Sequence, residues 1–455
     1  MNLQNKTILV VGLGITGIAV CRFALKRGAK IIGVDDAPQT LLSPAVDEMR
    51  QKGIPIFSTH EILELNWKDI QLVVLSPGIA LEHPLVQKAQ QNKIPLVGEI
   101  ELASSFSSSP LIAVTGTNGK STTTELIGAL LKQAGKSVSV GGNLGTPWVT
   151  LIDENPKSDW TVLEVSSFQL ETIRTFHPKI SVFLNITDDH FERHQNMQAY
   201  AAAKSKIFLN QTPDDFLIYN ANDIQVLKSL EGLKAHKIPF SSTEHVKGIF
   251  WEGEKTIGSQ VKNGSQVYSL EKVSLPGLHN IENMMAAIAV AELAGVSPEN
   301  IQKGLENFKS LPHRLEFVRE LGGVRYFDDS KGTNVGAVAM SLASFEAPVV
   351  LILGGKDKGG DYGVLRALIH HKAKALILMG EARQKIKNAL EGSCPFYEVE
   401  NMKEAVTQAH YLASAGDVVL LSPACSSFDM FRDYKHRGNE FQKWVKNLGD
   451  KHAIP

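Results

Sequence analysis

At 455 residues the chain is longer than one hydrophobic core organises, so roughly two to four domains are expected. Its composition is that of a globular protein, with 43% hydrophobic and 21% charged residues, and a formal net charge of −1 leaves no global basic footprint for nucleic acid. Cys21, Cys394 and Cys425 lack disulfide-framework and metal-ligand spacing, no apolar run reaches the roughly 20 residues that span a bilayer, and no signal-peptide pattern opens the chain, so a cytoplasmic enzyme is expected.

The first segment alternates short apolar strands with amphipathic helices: ILVVG (8–12), IIGVD (31–35), LVVLS (72–76) and IPLVG (94–98). That is the rhythm of a parallel α/β sheet. Between the first two strands stands Gly12-Leu-Gly14-Ile-Thr-Gly17, with Asp35 about 20 positions on, the spacing of a dinucleotide fingerprint. The physics of such a turn recognises pyrophosphate and ribose, so it admits a nicotinamide cofactor or another diphosphate. A second turn, Ser76-Pro77-Gly78, closes another strand at the carboxyl edge where ligands of such folds bind.

A Ser-rich stretch (104–109) marks a linker before the most informative segment, LIAVTGTNGKSTTT (111–124). It reads as a buried strand, a Gly-rich turn and the polar start of a helix at Ser121. Such a turn offers unpaired backbone N–H groups and the positive end of a helix dipole to phosphate. Lys120 adds a mobile charge, and Ser121 adds a hydroxyl suited to Mg²⁺. Val114 stands where the usual loop pattern has its first glycine. Strands then recur through FLIYN (216–220), followed by short pieces such as GIFWEG and QVYSL that read as a small antiparallel sheet, and by an Ala- and Met-rich helix near 280–294. After Leu311-Pro312 a third strand–helix rhythm begins: VRYFDDS, VVLILGG, ALILMG, PFYEV and DVVLLSP. Three α/β domains are expected, at 1–98, 99–311 and 312–455.

Several polar residues stand at strand ends. Glu164, in TVLEVSSFQL, is either a satisfied buried acid or a ligand for Mg²⁺. Asp188-Asp189-His190 follows another strand end, and Asn143 lies in the turn Gly142-Asn-Leu-Gly145. Lys204, in YAAAKSKIF, has on spacing alone the look of a solvated helix lysine.

TGTNGKST (115–122), GNLG (142–145), EVSSFQLE (164–171), NITDDH (185–190), AYAAAKSKIF (199–208), LPGLHNIENMMAA (275–287), LPHRLE (311–316), DDSKGTN (328–334), LSPACSSFDMF (421–431) and RGNEF (437–441) resemble, in order and across all three segments, the Mur ligase family. The resemblance implies a Rossmann-like N-terminal domain for the UDP end of a substrate, a central ATPase-type domain with a parallel sheet and a small antiparallel one, and a Rossmann-like C-terminal domain for an amino acid. It also implies ATP-driven amide-bond formation through an acyl phosphate, closest to the member that adds D-glutamate to UDP-N-acetylmuramoyl-L-alanine in cytoplasmic peptidoglycan precursor synthesis. A monomer using small-molecule substrates, with neither nucleic acid nor membrane as partner, is expected.

Carried over residue by residue, the resemblance gives ATP the loop Gly116, Thr117, Asn118, Gly119, Lys120, Ser121 and Thr122, together with Asn280, Asn283, Arg314 and Asp329. Lys120, Glu164, His190 and Lys204 become catalytic. Ser121 and Glu164 hold one Mg²⁺, and His190 holds a second with Lys204 in a CO₂-derived carbamylated form. Ile15, Thr16, Asp35, Asp36, Ser76 and Gly78 match the UDP-end pocket, and Asn143, Ser166 and His190 the muramoyl side. Lys331, Thr333, Lys358, Ser427 and Tyr434 match the amino-acid pocket and its surroundings. Tyr434 stands where relatives carry Phe.

Overall fold

The structure is a computed structural model and describes residues 1–37, 44–189, 193–262, 264–273, 275, 277–309 and 311–449. Its strands form three sheets that follow one another along the chain. The first contains β1 (Thr7–Val11), β2 (Lys30–Val34), β3 (Ile56–Phe57), β4 (Ile70–Leu75) and β5 (Leu96–Gly98), in the order β3-β2-β1-β4-β5. Every pairing in it is parallel. This is a doubly wound sheet, with the chain reversing direction beside β1, where such folds bind ligands. The third glycine of the fingerprint is needed for contact: a Cβ on Gly17 would lie 1.9 Å from the Gly12 carbonyl oxygen.

The second sheet has β6 (Leu111–Thr115), β7 (Val138–Gly142), β8 (Trp160–Glu164), β9 (Ile180–Phe183), β10 (Phe216–Asn220), β11 (His236–Ser241), β12 (Ile249–Gly253), β13 (Thr256–Ser259) and β14 (Gln266–Ser269). Its order is β14-β13-β12-β11-β10-β9-β6-β8-β7. The β12–β13–β14 pieces are antiparallel, as their alternation predicts. They are not a detached sheet, because β12 pairs in parallel with β11 through Phe240–Ile249 and Ser241–Phe250 and so extends the central sheet. The third sheet, β15 (Glu316–Leu321), β16 (Val324–Asp328), β17 (Val349–Gly354), β18 (Ala373–Met379), β19 (Phe396–Glu398) and β20 (Val418–Leu421), runs β15-β16-β20-β17-β18-β19. Only β15 pairs antiparallel within it.

The Ser-rich stretch is packed rather than free. Phe106 meets Phe23 edge-on at 5.2 Å, joining the first domain to the start of the second. Beside it the helix Glu99–Ser104 is buried along most of its length. Its Glu101 carboxylate accepts from the backbone N–H groups of Arg174, Thr175 and Phe176 and from the Thr175 hydroxyl. A buried carboxylate satisfied this fully ties the helix to the 174–176 segment of the same domain.

Candidate active site

The strand β6 delivers the chain to a turn that only glycines permit. Gly116 and Gly119 have φ of 152° and 83°, and a Cβ on Gly119 would lie 2.2 Å from Asn283 Oδ1. Asn185 pins the turn twice, accepting from Thr117 N–H through its carbonyl and from Asn118 N–H through Oδ1. The helix that follows spans Lys120–Gln133, beginning one residue before the position expected. Lys120 folds back over the turn and donates to the carbonyls of Gly116 and Thr117 at 3.0 and 2.8 Å.

Glu164 ends β8 beside this helix start. One of its oxygens accepts from Ser121 Oγ and the other from Asn143 Nδ2. Burial pushes its carboxyl upward, but Lys120, the two hydrogen bonds and Arg314 outweigh burial and hold it below the ordinary carboxylate range. Arg314, from the segment beyond Leu311, reaches Ser121 Oγ with Nη2 at 2.7 Å. A hydroxyl and an ionised carboxylate meeting at a phosphate-type loop form a hard oxygen donor set, which fits Mg²⁺.

Lys204 sits in the last turn of the helix Met197–Ser205 and is 1% exposed, which corrects its reading from spacing as a solvated lysine. Its Nζ donates to the Gly116 carbonyl at 2.7 Å, the same oxygen that Lys120 uses, and lies 4.5 Å from the Tyr200 ring centroid. Burial first, and then the neighbouring Lys120, push its pKa well below the usual lysine value. His190, its expected companion, lies outside the described residues.

A polar cavity of about 240 Å³ gathers most of the remaining residues. Thr117 to Thr122, Asn143, Glu164, Asn280, Asn283, Arg314, Asp329, Lys331, Thr333 and Lys358 line it. Asn280 and Asn283 lie one turn apart on the helix Leu278–Leu293, hydrogen-bonded to each other, and Asn283 Oδ1 accepts from Thr123 Oγ1 at 3.1 Å. Asp329 Oδ2 accepts from Ser341 and Ser422, and burial pushes its pKa up to about 6. Lys331 lies over the Tyr434 ring at 4.0 Å, and burial together with Arg314 brings its pKa down to about 8. Lys358 faces Asp189 at 3.8 Å.

Other expected residues lie elsewhere. Ser166 caps the helix Ser167–Leu170 in a reciprocal capping box with Gln169. Ser427 is buried, and its carbonyl accepts from Phe431 N–H at 2.8 Å. In the first domain Asp35 accepts from Leu13 N–H at 2.7 Å and so braces the Gly-rich turn. Asp36 is engaged by the Thr59 N–H and hydroxyl. Ser76 Oγ donates to the Gly12 carbonyl, Gly78 is exposed beside it, Thr16 is half-buried and Ile15 is 79% exposed. Of these only Ser76 reaches the central domain, where with Pro77 and Ile79 it shares a small cavity with Gln169, Thr172 and Arg193. Among the cavity residues that escaped sequence reasoning are His279, Ser341 and Asn334. His279 is lowered to about 4 by burial and Arg314, and Asn334 begins a helix in the third domain. An Asn closing DSKGTN before an apolar run is an N-cap signal, but nothing in the sequence shows what lies across from it.

Family models match the chain in three consecutive blocks. They are the Mur ligase MurD-like N-terminal domain over residues 6–98, the Mur ligase middle domain over 114–291 and the Mur ligase glutamate ligase domain over 313–425. The chain is 44% identical over 452 residues to UDP-N-acetylmuramoylalanine–D-glutamate ligase of Trichlorobacter lovleyi, covering 98% of this chain and 100% of that one. It is 40% identical over 447 residues to the enzyme of the same name from Syntrophus aciditrophicus, covering 98% and 99%. Among solved structures it resembles the UDP-N-acetylmuramate-alanine ligase MurC of Thermotoga maritima at 21% identity with a TM-score of 0.61, over 97% of this chain and 99% of that one. The MurF ligase of the same organism, solved with ADP, gives 16% identity and a TM-score of 0.60 over 97% and 96%. At these identities the two structures speak to the fold.

Proposed function

The chain belongs to the Mur ligase family, and from that premise we propose that it is an ATP-dependent ligase joining D-glutamate to UDP-N-acetylmuramoyl-L-alanine in peptidoglycan precursor synthesis. The observation that carries the reading beyond the family is the convergence of the Thr117–Ser121 turn with Arg314, Lys331, Thr333 and Lys358 from the third domain on one polar cavity. A carboxylate is a poor electrophile, so the γ-phosphate of ATP is first transferred to the alanyl carboxylate. The D-glutamate amine then attacks the acyl carbon, inorganic phosphate leaves, and the amine loses a proton. Both steps crowd anions together, which is why lysines and arginine surround the site.

In this reading Lys120 neutralises the β- and γ-phosphates, Arg314 takes phosphate oxygens, and Asn280, Asn283 and Asp329 hold the nucleotide. Lys358, Thr333, Ser427, Lys331 and Tyr434 form the amino-acid pocket and its walls. Asn143 and Ser166 face the muramoyl end, and the Gly12–Gly17 turn with Asp35, Asp36, Ser76 and Gly78 takes the UDP end. Ser121 and Glu164 would hold one Mg²⁺, and His190 with carbamylated Lys204 a second; the ions supply charge neutralisation for the phosphates. The carbamate is supported by the two lysine ammoniums on one Gly116 carbonyl, because carbamylation with CO₂ needs a neutral amine and releases one proton. Domain limits at 98 and 311, a monomer and a cytoplasmic location complete the proposal. Among the described residues, no helix is long and apolar enough to cross a membrane.

The test is phosphate release with ATP, Mg²⁺, UDP-N-acetylmuramoyl-L-alanine and a panel of D- and L-amino acids. D-Glutamate is expected to stimulate release selectively. Equal release with L-alanine or L-lysine would transfer the chain to another ligase specificity.

A further inference from the structure

Asn334 uses its two amide ends on two different domains. Its Oδ1 accepts from Ala337 N–H at 2.8 Å and so caps the helix Val335–Ala343 of the third domain. Its Nδ2 donates across the domain boundary to Asn118 Oδ1 in the phosphate-type turn, at 3.3 Å, and to Asp189 Oδ2 at 3.1 Å. Asn118 is itself fixed, donating its side-chain Nδ2 to Thr187 Oγ1 at 3.3 Å. Asp189 Oδ1 faces the Lys358 ammonium at 3.8 Å. The two elements also approach closely: a Cβ on Gly336 would lie 3.3 Å from both Asn118 Nδ2 and Thr187 Oγ1, so a side chain there would have to press these atoms back by a few tenths of an ångström.

We propose that Asn334 is a positioning residue, the clasp that seats the third domain on the phosphate turn. Only an amide serves both partners. The cap needs an acceptor, which Asp or Ser also supplies. The cross-domain contact needs a donor aimed at Asp189 and Asn118, which Asp lacks and which Ser is too short to supply while capping. Because Asp189 also faces Lys358, the clasp and the amino-acid lysine engage the same acidic side chain. The amino-acid pocket is therefore assembled only when the nucleotide turn is in place. What the clasp positions rests on the ligase reading above; that it closes the domains does not.

The experiment compares wild type with Asn334→Ser and Asn334→Asp, both of which keep the helix cap, and with the double variant Asn334→Asp, Asp189→Asn. The double variant reverses the direction of donation across the boundary. Small-angle scattering with Mg²⁺ and a non-hydrolysable ATP analogue reads closure, thermal melting reads folding, and phosphate release reads the KM for each substrate. Asn334→Ser should melt like wild type and remain more open. Its KM for the amino acid should rise by about three- to ten-fold, the worth of a lost hydrogen bond, with a smaller change for ATP. Asn334→Asp should open further, since two carboxylates then face each other, and the double variant should regain compaction. Compaction of folded Asn334→Ser equal to wild type, or failure of the folded double variant to close beyond Asn334→Asp, overturns the clasp. If no amino acid stimulates the wild type yet compaction follows Asn334 as described, the clasp stands and the substrate reading falls.

Discussion

Lys120 and Lys204 donate to one carbonyl oxygen, that of Gly116, and two full ammonium charges so placed repel each other. Different roles for the two lysines remove the conflict. Lys120 remains a cation for phosphate, so Lys120→Ala is expected to fold normally, by circular dichroism and melting, while phosphate release falls by about two orders of magnitude or more. Near-normal turnover would take this lysine out of the chemistry. Lys204 is expected to act as its carbamate, which is lost at mildly acidic pH. Activity should therefore drop after CO₂ is stripped under inert gas at slightly acidic pH and return with bicarbonate at matched pH and ionic strength. Indifference to both treatments contradicts the carbamate. The phosphate turn was legible in the sequence because a strand, glycines, a lysine and a serine at fixed spacing have local physical meaning. Lys204 was legible only through family resemblance. Its burial comes from packing of the helix Met197–Ser205 against a turn far away in sequence, which periodicity does not report.

At the scale of elements, the helices Glu99–Ser104 and Trp148–Glu154 meet through a buried acid. Glu99 Oε1 accepts from Val149 N–H at 2.8 Å, and Oε2 has no hydrogen-bond partner among the described residues. Burial pushes its pKa up to about 7, above the ordinary glutamate value. The folded state then binds more protons than the unfolded chain between those two values. The stability this contributes is complete at low pH and is lost as pH rises through about 7, by up to about 3 kcal/mol. Denaturant midpoints of wild type and Glu99→Gln from about pH 5 to about pH 8 should thus drift in favour of the variant as pH rises. Parallel curves would contradict this. Strand rhythm foretold the three sheets well, since buried parallel strands are apolar throughout. It did not foretell that β12 would pair with β11 and carry the antiparallel pieces into the central sheet, because edge pairing is a tertiary choice. The two-residue strand β3 was too short to carry a period.

At the scale of the molecule, one cavity draws its walls from the second and third sheets' loops, while the Gly12–Gly17 turn, proposed for the UDP end, lies on the first. The third domain is expected to swing away when the site empties and in when nucleotide and substrate bind, turning near Leu311-Pro312. Scattering curves that are unchanged by ligands would argue against such a motion. The proposed amino-acid pocket pairs Lys358 with hydroxyls, so removing that cation should weaken a dicarboxylate more than a nucleotide. Lys358→Ala is expected to raise the KM for D-glutamate more than that for ATP, and equal effects would move Lys358 out of the pocket. In the proposed reaction the alanyl carboxylate is phosphorylated and then captured by the D-glutamate amine. This order of steps is tested most directly with UDP-N-acetylmuramoyl-L-alanine carrying heavy oxygen in that carboxylate, incubated with ATP, Mg²⁺ and D-glutamate. One heavy oxygen is expected in each inorganic phosphate released, matched by one new amide product, and phosphate released without label would contradict the acyl phosphate.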